Sequence, residues 1–249
     1  MADPDPLPVW KTHLEATDSA VEAPYHLNVR HELIGLIAEP PRIVIDIGCA
    51  AGATGARVKE LHPGARVIGL ETHAAAAQAA SAVLDQVIVD SIETADLRAH
   101  GIAPGSVDVV IAGDVLEHMI NPWRVLDRLR PFLSSRGSVI ASVPNARNLA
   151  LLGELVDGGE WRYECSGLLD ITHLRFFTVK SLGRLFQETG YEVTGFGFNF
   201  DPRLAGLLDQ AAAAPIPNLQ NGRLLIQGLQ PGELEELCAW QILAVARPL

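Results

Sequence analysis

Five short aliphatic runs lie between residues 42 and 143, most of them separated by stretches of helical character, and this alternation leaves the chain few architectures to choose from. The runs are RIVIDIG (42–48), RVIGL (66–70), QVIV (86–89), VDVVIAG (107–113) and GSVIASV (137–143). Each is apolar at consecutive rather than alternate positions, as strands buried on both faces are. Between them, Thr54–Leu61, the alanine-rich His73–Ala82 and a segment opened by Asn121-Pro122, with Val125, Leu126 and Leu129 facing inward, have helical periodicity or propensity. Repeated strand–helix alternation predicts a parallel sheet covered by helices on both faces.

After Val143 the pattern changes. Pro144 to Thr178 is irregular apart from a helix over Leu149–Val156, and a helix over Lys180–Glu188 leads into the strand YEVTGFGF. A helical insertion over 201–236, interrupted at Pro215–Pro217, precedes a last strand at about Cys238–Ala246. Two late strands flanking an insertion predict that the last one closes the sheet antiparallel. The expected fold is α/β, a Rossmann-like sheet of seven mostly parallel strands with helices on both faces and an antiparallel last strand. Before the first strand, residues 1 to about 24 carry four prolines and predict a loose or wrapping arm. Leu27, Val29, Leu33, Ile34, Leu36 and Ile37 recur at helical spacing over Tyr25–Glu39, ahead of the helix-stopping Pro40-Pro41. The chain thus divides into an arm and helix (1–40) and one domain (41–249), with a cover segment at 144–178 and the insertion at 201–236.

The end of the first strand, Asp46-Ile47-Gly48-Cys49-Ala50-Ala51-Gly52, carries the most chemical information. Ligands of open α/β sheets bind beyond the carboxyl ends of the strands, where the strand order reverses. Gly48 and Gly52 let the backbone turn sharply and approach a ligand. Glu71 ends the second strand, where a carboxylate can accept two hydrogen bonds from a ribose diol, and Asp90 with Ser91 ends the third, beside the place for an adenine ring. A nicotinamide enzyme would need G-x-G-x-x-G facing a pyrophosphate. Here the spacing is D-x-G-x-x-x-G, and the acid would repel a pyrophosphate while suiting a cationic amino group. S-adenosylmethionine (SAM) has that group, a ribose diol and no phosphate.

These residues resemble the class I SAM-dependent methyltransferases over about residues 25–200: the loop DIGCAAG, the acid of VIGLE, VDS, GDVLEHM and SVPN. The last three motifs are similar to the type 11/23 group. DITHLRFFTVKSL followed by GYEV resembles a bacterial subset associated with sugar, polysaccharide or natural-product modification. The resemblance implies a SAM site in which Gly48, Cys49 and Gly52 line the methionine part and Asp46 sits near its amino group. It further implies that Glu71 holds the ribose, Asp90 and Ser91 lie beside adenine, and Asp114 lines the methyl-transfer side. Ala50 stands in place of the family's middle glycine, which implies slightly altered loop geometry with binding intact.

Asp114, Glu117 and His118 form D-x-x-E-H after the fourth strand, and would share one face if the segment turns helically. His173 lies in the segment expected to cover the same sheet end. Asp114, Glu117, His118 and His173 together can hold Mg²⁺ or another divalent metal that activates a substrate hydroxyl. Two metal-dependent groups look similar: ubiquinone-pathway catechol O-methyltransferases, with E-x-x-E-H, and small-RNA 2′-O-methyltransferases, with a later histidine. Without a metal, Glu117 and His118 would cap a helix and line the cofactor pocket. His118 or His173 is then the candidate base, because an imidazole takes a proton readily at neutral pH. Arg147, Arg162 and Arg175 can grip a phosphate or carboxylate of the acceptor. Trp161, Tyr163, Phe176 and Phe177 can stack on it or, the Phe pair especially, pack the cover onto the sheet.

The expected activity is O-methylation of a hydroxyl on a small sugar-like or natural-product acceptor; N-methylation of a small amine and SAM binding without catalysis are the alternatives. The formal net charge of −11 disfavours long nucleic acids and anionic membranes as partners. Cys49, Cys165 and Cys238, widely spaced and without a CxxC pair, point to a reducing compartment rather than a disulfide or zinc framework. With no secretory pattern in MADPDPLPVW and no apolar run of about 18 residues, the expected location is cytoplasmic. No pattern in the chain specifies an oligomeric state.

Overall fold

The computed structural model describes residues 8–13 and 28–249. Strands β1 (Ile43–Ile47), β2 (Arg66–Leu70), β3 (Gln86–Ile88), β4 (Val107–Gly113), β5 (Leu133–Pro144), β6 (Tyr191–Phe200) and β9 (Ala239–Pro248) form one sheet in the order β3-β2-β1-β4-β5-β9-β6. The first five strands in sequence pair parallel, and β9 runs antiparallel between β5 and β6. The strand order reverses between β1 and β4, which opens a crevice above their carboxyl ends.

Successive residues of each strand point to opposite faces, and along β1, β2, β4 and most of β5 both faces are buried. Ile45, Ile68, Val110 and Ala141 meet α5 (Pro122–Leu129) and α7 (Val179–Glu188) on one side. Val44, Val67, Val109 and Ile140 meet α2 (His31–Ile34) and α3 (Ala53–Leu61) on the other. The buried alanines Ala76, Ala77 and Ala80 bring α4 (Ala74–Ala80) close against the sheet. Asn121 caps α5, its side chain accepting the Arg124 N–H, and Thr178 with Ser181 forms a capping box on α7. No helix among the described residues is long and apolar enough to cross a membrane.

Three segments differ from expectation. The helix expected over Tyr25–Glu39 shrinks to the four residues of α2, preceded by Arg30 without a side-chain cap and followed by turns. Val29, Leu36 and Ile37 still pack on the core from irregular backbone, and the Arg30 N–H donates to Thr54 Oγ1. Tertiary contacts, not helical propensity, therefore organise this stretch; Tyr25–Leu27 lie outside the described residues. Most of the proline-bearing arm also lies outside them, but Val9–His13 forms a short helix, α1, rather than loose chain. The insertion, expected to be helical, carries α8 (Ala205–Ala213) and α9 (Glu233–Cys238), and between them a hairpin of β7 (Asn218–Asn221) and β8 (Leu224–Gln227). Gly222, at φ +56°, takes the first position of its two-residue loop, where a positive φ matches the twist of the strands. The insertion and α6 (Leu149–Gly158) share a small separate core of Leu149, Leu219, Leu234 and Leu237.

The seam between α5, α7 and β6 is closed by Phe186 and Tyr191, both fully buried with rings edge to face, and the Tyr191 hydroxyl donates to the Leu126 carbonyl at 2.8 Å. Phe186→Ala is expected to cost about 3–5 kcal/mol in urea unfolding. Tyr191→Phe, which removes only the hydrogen bond, should cost about 1 kcal/mol.

Candidate active site

The turn from β1 to α3 is built on left-handed backbone: φ is +66° at Gly48, +48° at Ala50 and +84° at Gly52. A Cβ on Gly48 would meet Val115 Cγ2 at 2.9 Å, and one on Gly52 would meet Val83 Cγ2 at 2.9 Å. Ala50 adopts the conformation natural to glycine at a strain of about 1–2 kcal/mol, so the loop keeps a glycine-like path in spite of its methyl group. Glu71 holds it there. Its Oε2 accepts the Ala50 N–H at 2.9 Å and its Oε1 accepts the His73 N–H at 2.8 Å. Gly48 N–H and Cys49 N–H both donate to the Leu70 carbonyl. The Cys49 side chain turns into the core over Gly69, where burial pushes its thiol up.

Gly48 lines two recesses. The larger, about 230 Å³, is walled by Glu71, Asp90, Ser91, Val115, His118 and Met119. Asp90 Oδ1 accepts the Ser91 N–H and the Thr94 hydroxyl, while Ser91 Oγ accepts the Glu93 N–H. The smaller holds Asn28, Arg30, Asp46, Ala50 and Thr54. Asp46 is buried, and its Oδ2 has no hydrogen-bond partner among the described residues. Burial, reinforced by the charge of Glu71, pushes its carboxyl up to about 7. A carboxylate placed this way can accept the N–H groups of a cationic ligand.

Asp114 also lies in left-handed backbone, at φ +52°. That turn directs its side chain over β5 and β9. Its Oδ1 accepts from Ser142 Oγ at 2.8 Å, and its Oδ2 accepts from Gln241 Nε2 at 2.6 Å and pairs with Arg30 at 2.5 Å. The helical turn that would align it with Glu117 begins only at Leu116, as a 3-10 turn over Leu116–His118. Asp114 therefore stands apart from the candidate metal group, which consists of Glu117, His118 and His173 with one potential ligand atom each, all within 4.8 Å of one another. Glu117 is fully buried and neither carboxyl oxygen has a hydrogen-bond partner among the described residues. Burial, with the charge of Asp114 added, holds its carboxyl well above the ordinary carboxylate range.

The cover segment is fastened to this group. The Glu117 carbonyl accepts the N–H groups of Leu174 and Arg175. The rings of His118 and His173 lie 4.8 Å apart, edge to face. His173 is buried with Nδ1 3.4 Å from the Leu168 carbonyl, and burial, with His118 alongside, pulls it below the ordinary imidazole range. His118 Nδ1 lies 3.1 Å from Thr172 Oγ1.

The arginines expected to grip an acceptor do not gather at the recesses. Arg147 pairs with Glu233 at 2.6 Å and Glu236 at 2.8 Å, tying α9 to the cover segment. Arg175 donates to the carbonyls of Leu174 and Ile120, and Arg162 is exposed. Of the aromatic residues, Phe177 packs into the core, while Phe176 is exposed and stacks edge-on against Trp161 at 5.1 Å. Arg30, Gln241, Asp170 and Thr172 were not anticipated as site residues. Only Asp170 and Thr172 had a signal in sequence, inside DITHLRFFTVKSL; Arg30 and Gln241 reach Asp114 through tertiary structure alone.

Residues 23–195 match the Methyltransf_23 family, described as a methyltransferase domain. The chain belongs to this family, among the class I SAM-dependent methyltransferases. Among curated relatives, a ubiquinone biosynthesis O-methyltransferase of Cupriavidus pinatubonensis is 27% identical over 160 residues, 64% of each chain. A trans-aconitate 2-methyltransferase of Methylobacterium radiotolerans is 30% identical over 128 residues, 49% of this chain and 47% of that one. The matches thus span less than two thirds of these relatives. A solved SAM-dependent methyltransferase from Archaeoglobus fulgidus shares the fold, with a TM-score of 0.58 at 14% identity over 87% of this chain and 90% of that one.

In this chain, Ala50→Gly removes left-handed strain but adds unfolded-state entropy, and should leave urea-unfolding stability unchanged or raised by about 1 kcal/mol. Gly52→Ala drives a methyl into Val83 and Ala80, and is expected to weaken SAM binding at least about tenfold by calorimetry, a loss of about 1.4 kcal/mol.

Proposed function

We propose that this methyltransferase transfers the methyl group of SAM to a hydroxyl on a small sugar-like or natural-product acceptor. The supporting observation is the group of two imidazoles and one carboxyl without a hydrogen-bond partner among the described residues, with His118 on the wall of the larger recess and the cover segment bonded to the Glu117 carbonyl. An amine would need no such base, and a protein that only binds SAM would need no acceptor side. The name of the Cupriavidus relative, an O-methyltransferase, favours the same reading.

The recesses fit the cofactor. In the smaller one, Asp46, whose Oδ2 has no partner among the described residues, would accept from the methionine ammonium and Arg30 would hold its carboxylate; in the larger, the remaining lone pairs of Glu71 would accept from the ribose hydroxyls. Asp90 and Ser91 would hold the adenine, Gly48 and Gly52 would allow close backbone approach, and Asp114 would border the methyl-transfer side. SAM supplies a methyl already activated by its sulfonium, so orientation accounts for much of the acceleration. His118 takes the proton of the acceptor hydroxyl, with His173 beside it. Arg162, exposed on the cover segment, is left to meet an acidic group on the acceptor; Arg147 is committed to α9, and Arg175 would have to exchange its bonds to the Leu174 and Ile120 carbonyls to do so.

The Glu117–His118–His173 group also fits a divalent metal, because a fully buried carboxyl with neither oxygen hydrogen-bonded among the described residues lies beside two imidazoles. A metal bound there would lower the pKa of an acceptor hydroxyl. Glu117, His118 and His173 would hold it; Asp114, engaged by Arg30, Ser142 and Gln241, would not.

An acceptor screen with and without chelator separates these routes. Loss of product on chelation, restored by Mg²⁺ or another divalent ion, is expected for metal assistance. Turnover indifferent to chelator but lost in His118→Ala assigns the proton to His118 alone. Methylated amines and no methylated hydroxyls would overturn the O-methyl reading.

Asp46 also makes cofactor binding depend on pH. Its folded pKa of about 7 exceeds the ordinary carboxylate value, so below about pH 7 the carboxyl carries a proton that it must release to accept the ammonium. SAM affinity should therefore fall as pH drops below 7, by up to about tenfold per unit, with proton release visible calorimetrically in buffers of different ionisation enthalpy. The folded state binds this proton more tightly than the unfolded chain. The contribution of Asp46 to stability without ligand should accordingly decrease as pH rises from about 4 to 7, and Asp46→Asn should remove the binding slope and that part of the stability slope.

A further inference from the structure

Thr172 lies between an acid and a base. Its Oγ1 is 2.6 Å from Asp170 Oδ1 and 3.1 Å from His118 Nδ1. A threonine hydroxyl has one proton to donate. The short contact to a carboxylate oxygen, which can only accept, uses that proton, and the same Asp170 oxygen accepts the Thr172 N–H at 2.8 Å, fixing the geometry. Toward His118 the hydroxyl is left with lone pairs only. The Thr172 carbonyl, 3.3 Å from the same ring nitrogen, is also an acceptor. Every oxygen facing His118 Nδ1 in these contacts therefore requires a proton on that nitrogen.

We infer that Asp170 and Thr172 form a positioning relay that locks His118 in its Nδ1–H tautomer, leaving Nε2 as the unprotonated nitrogen available to the acceptor. The inference rests on the proposed role of His118 and deepens it: a base must present a lone pair, and the partner of the opposite ring nitrogen selects which one does. The relay comes from the cover segment, so the tautomer is set only when residues 170–174 are docked on Glu117. Docking and base formation are then one event, because the backbone of Glu117 that receives Leu174 and Arg175 adjoins His118 in the chain. Asp170 and Thr172 themselves do not line the cofactor recess, which makes them positioning residues rather than catalytic ones.

The test is long-range ¹H–¹⁵N correlation on full-length protein with ¹⁵N-labelled histidine, saturated with S-adenosylhomocysteine, the His118 signals being assigned by their loss in His118→Gln. The wild-type ring is expected to be protonated at Nδ1 and bare at Nε2. Thr172→Val should lower the ratio of Nδ1–H to Nε2–H forms by about fivefold, the effect of losing one neutral hydrogen bond, and Thr172→Ser should restore it. Asp170→Ala keeps the hydroxyl but frees its proton to donate to Nδ1, and should shift the ratio in the same direction. A wild-type ring protonated at Nε2 overturns the inference, as do variants that bind S-adenosylhomocysteine normally with unchanged ring shifts. Normal tautomer shifts in a protein that methylates no hydroxyl would instead overturn the proposed function and leave the relay standing.

Discussion

Glu71 is the hinge of the structure. Its side chain accepts the N–H of Ala50 from the loop after β1 and the N–H of His73 at the start of α4, so one carboxylate ties the ends of two adjacent parallel strands to the elements that follow them. The loop it holds contains three left-handed residues, and one of them, Ala50, bears a Cβ that makes that conformation costly. The crevice above β1 and β4 depends on this loop standing clear of the sheet. Gly48 lines both recesses, and Asp46, two residues earlier, is buried with one oxygen that has no partner among the described residues.

A second set of contacts joins the opposite wall to the cover. The 3-10 turn after β4 presents Glu117 and His118, and the Glu117 carbonyl binds the backbone of the cover segment. The Glu117 carboxyl, with no partner for either oxygen among the described residues and no water-exposed surface, is the most unfavourably placed polar group of the site. Such a group is tolerated when protonated or when a cation shares it. Asp114, by contrast, is fully engaged, joining the N-terminal segment through Arg30 to the antiparallel strand β9 through Gln241.

The strands and their order of burial were legible because consecutive aliphatic residues leave no solvent face, and two late strands around an insertion can close the sheet only by reversing one of them. The short α2 was less legible. Leu33 and Ile34 have helical spacing with Leu36 and Ile37, but the helix ends at Ile34 and Leu36 and Ile37 reach the core from the irregular backbone after it. The hairpin at Asn218–Gln227 carried its signal in Asn221-Gly222, which a helical assignment of the insertion obscured.

The sequence alone determined the sheet, the glycine loop with its acid at Glu71, and the presence of an acid–histidine group, because these follow from local periodicity and from residue types at strand ends. Tertiary structure decided which of those acids remain available. Asp114 and Glu117 are three residues apart with the same chemistry; one is consumed by Arg30, Ser142 and Gln241, from segments distant in the chain, and the carboxyl of the other finds no partner among the described residues. The same holds for the three arginines and for the Asp170–Thr172–His118 contact: spacing along the chain states what a side chain can do, and only the packing of remote segments settles what it is left free to do.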